Sequence, residues 1–161
     1  MEYMDIVNPQ DDVIGKTSRQ EIYAKSLIHR IVHILIFNDK NEMALQKRSS
    51  NVTFCPNHWS TAVGGHVRAG ESYEEAALRE YEEELGTKSK LEYFSKDYYS
   101  GEGTPDKFLV TFKTTFNGPF HLDKVDVEKI CFFKLDKIKE MINNGEKFHP
   151  ELLFLLKKYF F

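Results

Sequence analysis

Apolar residues change their spacing several times along this chain, and each change predicts an element. Over residues 30–37 they run almost unbroken as Ile31, Val32, Ile34, Leu35, Ile36 and Phe37, the pattern of a central strand covered on both faces. His33 inside that run is read as a core histidine satisfied by its neighbours, not as a ligand. Asn38-Asp39-Lys40-Asn41 is a turn, and residues 43–48 predict the antiparallel partner. A loop carrying Phe54 and Trp59 follows, and Ser60-Thr61-Ala62-Val63 predicts a short strand that delivers Gly64-Gly65. Residues 90–99 alternate weakly. Phe108, Val110 and Phe112 alternate with Leu109, Thr111 and Lys113, so residues 107–116 predict a strand, as do residues 127–135. Helical spacing returns at Ile138, Met141 and Ile142, with Asp136 as the expected cap. It returns again at Leu152, Leu153, Leu155, Leu156 and Tyr159 behind Pro150. Near the start, residues 3–7 and 13–15 read as a hairpin across Asn8-Pro9-Gln10, with helix-start character at 17–21.

One polar pattern stands apart from these. Ser72 and Glu75 form a capping box, which places a helix start at Tyr73; Gly86 ends it in a left-handed conformation. At about 100° per residue, Glu83 and Glu84 flank Glu80 on one face, while Leu78, Tyr81 and Leu85 form an apolar stripe with Ala77 at its edge. Like charges three and four residues apart repel by a few tenths of a kcal/mol each. A solvated acidic face is the ordinary reading of such a cluster. What precedes it shifts the balance. Gly64-Gly65 allows backbone to approach a ligand closely, and Gly70-Glu71 sets a further carboxylate beside the helix N-terminus. Acids gathered this way suit a hard divalent cation with oxygen ligands, Mg²⁺ or Mn²⁺.

The full spacing is Gly65, five residues, Glu71, seven residues, Arg79-Glu80, then Glu83-Glu84 and Gly86. It resembles the signature box of the Nudix hydrolase family, with every fixed polar and glycine position present. Tyr81 and Thr87 depart from its apolar slots, which bears on packing more than on metal binding. The resemblance covers residue 30 onward. It implies an α/β (α+β type) fold, a Nudix-like α/β/α sandwich around a mixed central sheet. Residues 1–161 form a single domain in this reading, with an N-terminal hairpin extension over 1–28 and the core over 29–161.

By the same resemblance the activity is metal-dependent cleavage of a diphosphate linkage in a nucleoside diphosphate joined to another moiety. Glu80, Glu83, Glu84 and Glu71, with a backbone carbonyl at Gly64 or Gly65, are the implied holders of Mg²⁺ or Mn²⁺. Glu83, Glu84 and Arg79 are the implied catalytic set, Arg79 pairing with a box carboxylate. Arg30, Arg48, Gly64, Gly65 and His66 are the expected substrate contacts, with Lys47 as a further phosphate grip. The general base stays open among Glu83, Glu84, Glu102, Asp106 and Glu128. His29-Arg30, Gln46-Lys47-Arg48-Ser49 and Gly65-His66-Val67 also resemble the branch related to isopentenyl-diphosphate isomerase, but Gly64 stands where that enzyme has its catalytic cysteine. Isomerase and non-catalytic nucleotide sensor are the two alternatives.

Composition adds limits. The chain has 161 residues, net charge −3 and two cysteines, Cys55 and Cys131, without metal spacing. Mixed charge gives no electrostatic case for a nucleic-acid polymer or an acidic membrane. The expected partner is a small-molecule diphosphate, with a homodimer as a further expectation. No apolar leader or spanning run is visible, and a cytoplasmic setting fits thiols kept reduced.

Overall fold

In the computed structural model, which describes residues 2–161, the apolar run at 30–37 becomes the axis of the molecule. β1 (Tyr3–Val7), β2 (Val13–Ser18) and α1 (Arg19–Lys25) precede it as β3 (His29–Phe37). Then come β4 (Met43–Arg48), β5 (Trp59–Thr61), β6 (Val63–His66), α2 (Tyr73–Leu85), β7 (Glu92–Tyr99), β8 (Lys107–Thr115), β9 (Val127–Phe133), α3 (Leu135–Asn143) and α4 (Pro150–Tyr159). β3 runs parallel to β8 along its whole length, from His29 opposite Lys107 to Phe37 opposite Thr115. It is antiparallel to β6, and β4 pairs antiparallel with β5 and β9. The sheet is therefore mixed, with seven strands.

β3 and β4 meet at a single register, Phe37 with Met43, and then diverge. β6 pairs with β3 and β5 with β4, so the two halves of the sheet part around the Thr61–Val63 corner. That parting gives the molecule its cleft. The single strand expected over residues 60–63 is accordingly two, interrupted at Ala62 where the chain changes partner.

Alternation along β3 divides the core. Val32, Ile34 and Ile36 face α2, where Ala76, Ala77, Tyr81 and Leu85 are buried against them. Leu35 faces the other way, with Met43 and Leu45, against Ile138 and Met141 of α3 and Leu152 and Leu156 of α4. Helices thus cover both faces, as the α/β/α expectation requires. Tyr81, the off-type residue, is fully buried. Its hydroxyl lies 2.8 Å from Ser89 Oγ, Ser89 Oγ lies 2.8 Å from Thr114 Oγ1, and Thr114 donates to the Lys90 carbonyl. With Thr114's only hydroxyl proton committed there, Ser89 donates to Thr114 and Tyr81 to Ser89. The phenol is thus satisfied in an apolar layer.

β1 and β2 form a separate two-stranded sheet tied to the core through Asp11. Arg30 donates from Nε to Asp11 Oδ1 at 2.7 Å and from Nη2 to the Asp11 carbonyl at 2.8 Å. Lys96 Nζ sits 2.6 Å from Asp11 Oδ2, and the Tyr73 hydroxyl donates to the same oxygen at 2.8 Å. Burial opposes ionisation of Asp11, but Lys96, Arg30 and Tyr73 together outweigh it and hold the carboxyl below its usual range. α3 begins at Leu135, so Asp136 sits in the first turn and is not the cap.

Candidate active site

α2 is built as its ends dictate. Ser72 accepts from the Glu75 amide while Glu75 accepts from the Ser72 amide, and Gly86 closes the helix at φ 64°. The apolar stripe docks this helix on the sheet and leaves the acids over β6. Arg79 is the organising cation. It grips Glu71 from Nε at 2.7 Å and Nη2 at 2.9 Å, and Glu80 from Nη1 at 2.7 Å. It also reaches the His66 carbonyl at 3.0 Å and Glu83 at 3.4 Å. Glu71 in turn accepts from the Arg68 amide at 2.8 Å. Burial opposes its ionisation, and its bonds to Arg79 and Arg68 hold its carboxyl below the normal range.

Gly65 has a specific cause. A Cβ there would lie 2.5 Å from the Glu80 carboxyl carbon, so the bare backbone makes room for that carboxylate. At Gly64 the same construction meets His33 Nδ1 at 3.1 Å. Sequence reasoning assigned this glycine pair to close approach by a ligand; the close approach present is by Glu80 and His33.

Glu84 packs beside Glu80. Burial of its carboxyl, then the neighbouring Glu80 carboxylate, push its pKa well above the usual value. Gln46 fixes its direction, donating from Nε2 to Glu84 Oε1 at 2.8 Å and to the Ala62 carbonyl at 3.0 Å. Among the described residues no three His, Cys, Asp or Glu side chains are already gathered into a cage. Mg²⁺ asks for less than that: it commonly binds through one or two carboxylates and takes its other ligands from waters and substrate phosphates. Glu84, whose charged form burial and the adjacent Glu80 disfavour, together with Glu80 and with Glu83 one turn from it, fits such an ion.

These residues line one end of a cleft of about 780 Å³, with Gln46, Arg48, Asp123 and Asp126 around them. The other end is polar without being acidic throughout. His33 lies 2.7 Å from Thr61 Oγ1 and 2.8 Å from Glu151 Oε1, and Lys107 donates to Glu151 Oε2 at 3.2 Å. Burial opposes ionisation of Glu151, but His33, then Lys107 and His149, drive its pKa far down, so it stays charged. His33 is thus the satisfied histidine expected, and it also forms part of the wall. His66 lies on the cleft, stacked on His29 at 5.5 Å with 12° between rings, and 2.8 Å from the Tyr23 hydroxyl. Burial, then the Arg19 and His29 charges, lower the His66 pKa to about 3.

The cleft gathers Arg48, Gly64, Gly65, His66, Glu80, Glu83 and Glu84. Arg79 and Glu71 join it by hydrogen bonds from behind. Arg30 does not line it: the hairpin's Asp11 has claimed the guanidinium expected on phosphate. Lys47 pairs loosely with Glu128 at 3.9 Å, and Asp106 accepts from Tyr98. Of the later acids, Asp123 and Asp126 reach the cleft, where Glu102, Asp106 and Glu128 do not. Sequence reading missed Gln46, Asp123, Asp126, Lys107 and Glu151. Their sole signal was polarity inside otherwise apolar or turn-like stretches. Trp59 is buried at 6% exposure, with its indole N–H on Glu146.

A three-layer sandwich with an arginine-clamped acidic helix over a paired glycine strand defines a Nudix domain. The NUDIX domain family model matches residues 27–156, and the chain belongs to that family. Its relatives include a Nudix hydrolase of Yersinia pestis, 31% identical over 138 residues, spanning 86% of this chain and 76% of the relative. Nudix hydrolase YfcD of Escherichia coli is 30% identical over 137 residues, spanning 85% and 76%. In fold the chain is similar to DR0079 of Deinococcus radiodurans, TM-score 0.86 at 22% identity, over 99% of this chain and 100% of that one. The NUDIX domain of Shewanella oneidensis NrtR, solved with ADP ribose, gives TM-score 0.64 at 16% identity over 88% and 96%. No helix among the described residues is long and apolar enough to cross a membrane.

Proposed function

We propose that this chain hydrolyses a diphosphate linkage in a small molecule, of the kind found in a nucleoside diphosphate joined to a second moiety. Glu80, Glu83 and Glu84, beside Gly65, would hold Mg²⁺ or Mn²⁺. The observation that carries the reading is the Glu80–Glu84 pair, packed together in a cleft and braced by Arg79 and Gln46. The ion, when bound, offsets charge on the diphosphate and acidifies the attacking water.

The remaining work falls to the chain. Arg79 holds Glu71 and Glu80 in fixed register, so the site is ordered before substrate arrives. Gln46 aims Glu84 into the cleft. Arg48, whose charge is among those acting on Glu84, is placed to meet phosphate at this end. Glu83, its side chain 51% exposed and held by Arg79 only at 3.4 Å, is the least constrained of the three carboxylates and in this reading takes the proton of the water that attacks phosphorus. The inner wall of Glu151, Lys107 and His33 suits a polar moiety on the substrate and does not suit an isoprenoid chain, which supports hydrolysis over the isomerase alternative.

The test is a panel of diphosphate compounds, ADP ribose among them, assayed with Mg²⁺ and Mn²⁺ for phosphate release with and without added phosphatase. Wild type should cleave at least one member, and Glu84→Gln should lower that rate at least ~100-fold with an unchanged melting temperature. A Glu84→Gln protein at full rate would remove the metal assignment. Tight binding of a panel member with no product would make the chain a sensor.

A further inference from the structure

The cleft takes part of its wall from outside the domain that the family model matches. That match begins at residue 27, yet Arg19 and Tyr23 of α1 line the cleft. α1 is held in place at both ends. Ser18 caps it, accepting from the Glu21 amide at 3.2 Å, Ile22 is fully buried beneath it, and the Leu27 amide donates back to the Ile22 carbonyl. The helix therefore presents Arg19 and Tyr23 from one rigid turn, four residues apart on the same face.

Charge accounting then singles out Arg19. Lys107 is committed to Glu151 and to Thr104 Oγ1, both at 3.2 Å. Arg68 pairs with Glu2 at 3.4 Å. Arg48 donates from Nε to the Phe54 carbonyl at 3.0 Å and sits at the acidic end. Among the described cations that line the cleft, Arg19 alone has neither an ion pair nor a side-chain hydrogen bond. Its guanidinium lies over the Tyr23 ring, 5.9 Å from the centroid. Beside it, the Tyr23 hydroxyl touches His66 Nε2 at 2.8 Å and keeps a further hydrogen-bonding position of its own. The His66–His29 stack behind that hydroxyl has Nδ1 of His29 on the Leu27 carbonyl at 3.0 Å. Among the described residues no carboxylate pairs with this guanidinium; Glu2, on the same cleft, pairs with Arg68. A planar fork of donors next to a phenol and an imidazole matches the oxygens of a phosphoryl group.

We propose that Arg19 and Tyr23 determine specificity by binding a second anionic group of the substrate, a terminal phosphoryl group, beside the His66 ring in the cleft. This rests on the diphosphate-hydrolase reading for its substrate class, and it makes the N-terminal extension part of substrate recognition. Substrates whose second moiety ends in a free phosphoryl group should then be preferred over those whose second moiety carries none.

The test titrates methylenediphosphonate, which is not hydrolysed, into wild type, Arg19→Ala, Arg19→Lys and Tyr23→Phe by calorimetry with Mn²⁺ present. Manganese affinity without the diphosphonate is measured alongside. Arg19→Ala should weaken diphosphonate binding roughly tenfold to a hundredfold, the loss of one charge-assisted contact. Arg19→Lys should recover most of that, Tyr23→Phe should lose less, and manganese affinity should not move. Both side chains are exposed, so equal melting temperatures are expected. Wild-type affinity in Arg19→Ala, or no diphosphonate binding by wild type, overturns the proposal. If the panel is cleaved and Arg19→Ala binds normally, this proposal falls and the hydrolase reading stands. If nothing is cleaved while Arg19→Ala loses the diphosphonate, the hydrolase reading falls and Arg19 stands as a phosphoryl-binding residue of a sensor.

Discussion

Replacing Gly65 with alanine adds one methyl group at the point where the sheet and the acidic helix meet. The new carbon would lie 2.5 Å from Glu80 Cδ and 2.7 and 2.8 Å from its two oxygens. Non-bonded carbons need ~3.5 Å, so the carboxyl must retreat by about 1 Å. It cannot do so freely, because Arg79 holds it at 2.7 Å and is itself clamped by Glu71. The backbone at Gly65 is not in the left-handed region, so alanine brings no conformational strain there and the cost falls on Glu80. A misplacement of about 1 Å commonly costs ~100-fold in rate, which is about 2.7 kcal/mol in the barrier. Gly65→Ala should therefore lose about two orders of magnitude in kcat/KM on the best panel substrate, and manganese affinity with it, while melting stays cooperative. Gly70→Ala is the control: it sits at φ 82° with nothing within 4 Å, so it should lower stability by about 1 kcal/mol and leave turnover intact. In a Glu80→Gln background the extra loss from Gly65→Ala should shrink, because the two positions share one contact. Wild-type turnover and manganese affinity in Gly65→Ala would refute the claim that this glycine exists to seat Glu80.

Other outcomes follow from the same contacts. Asp11→Ala leaves Arg30 and Lys96 without their shared carboxylate and should destabilise by about 3 kcal/mol, read by urea melts, with little change in turnover since neither partner lines the cleft. Because the Asp11 carboxyl is held below its normal range, its contribution is complete above the unfolded pKa near 3.9 and disappears as pH falls through the lower folded value; Asp11→Ala should flatten that part of the acid limb. His29 and His149, each lowered to about 4 by burial first, and His66, lowered to about 3, fold neutral. The unfolded chain binds their protons below pH ~6.5, so stability should fall from there toward pH 4 by up to about 4 kcal/mol per pH unit for the three together. Melts of His149→Gln should show a shallower slope, and an unchanged slope would mean that this histidine is not buried neutral.

The local grammar of α2 was legible because each signal lies within a few residues of the next. Ser72, Glu75 and Gly86 set its ends, and the acids follow helical spacing. β3 was legible for the same reason. What escaped depends on partners far away along the chain. Arg30 looks like a phosphate grip until Asp11, nineteen residues earlier, folds back on it. Gln46 sits in an ordinary strand pattern, and only the parting of β3 from β4 turns it toward Glu84. The break at Ala62 arises because one strand changes partner, which no periodicity records. Arg19 and Tyr23 lay in a stretch whose elements were only loosely drawn.

The contact from His33 to Glu151 joins positions 118 residues apart. On a ribosome the carboxylates of α2 are thus made well before the residue that closes the wall opposite them. Until α4 is released, His33 and Lys107 wait without their anion beside a half-open pocket, so a nascent chain stalled before residue 150 would carry the acidic helix and no finished room for a substrate to enter.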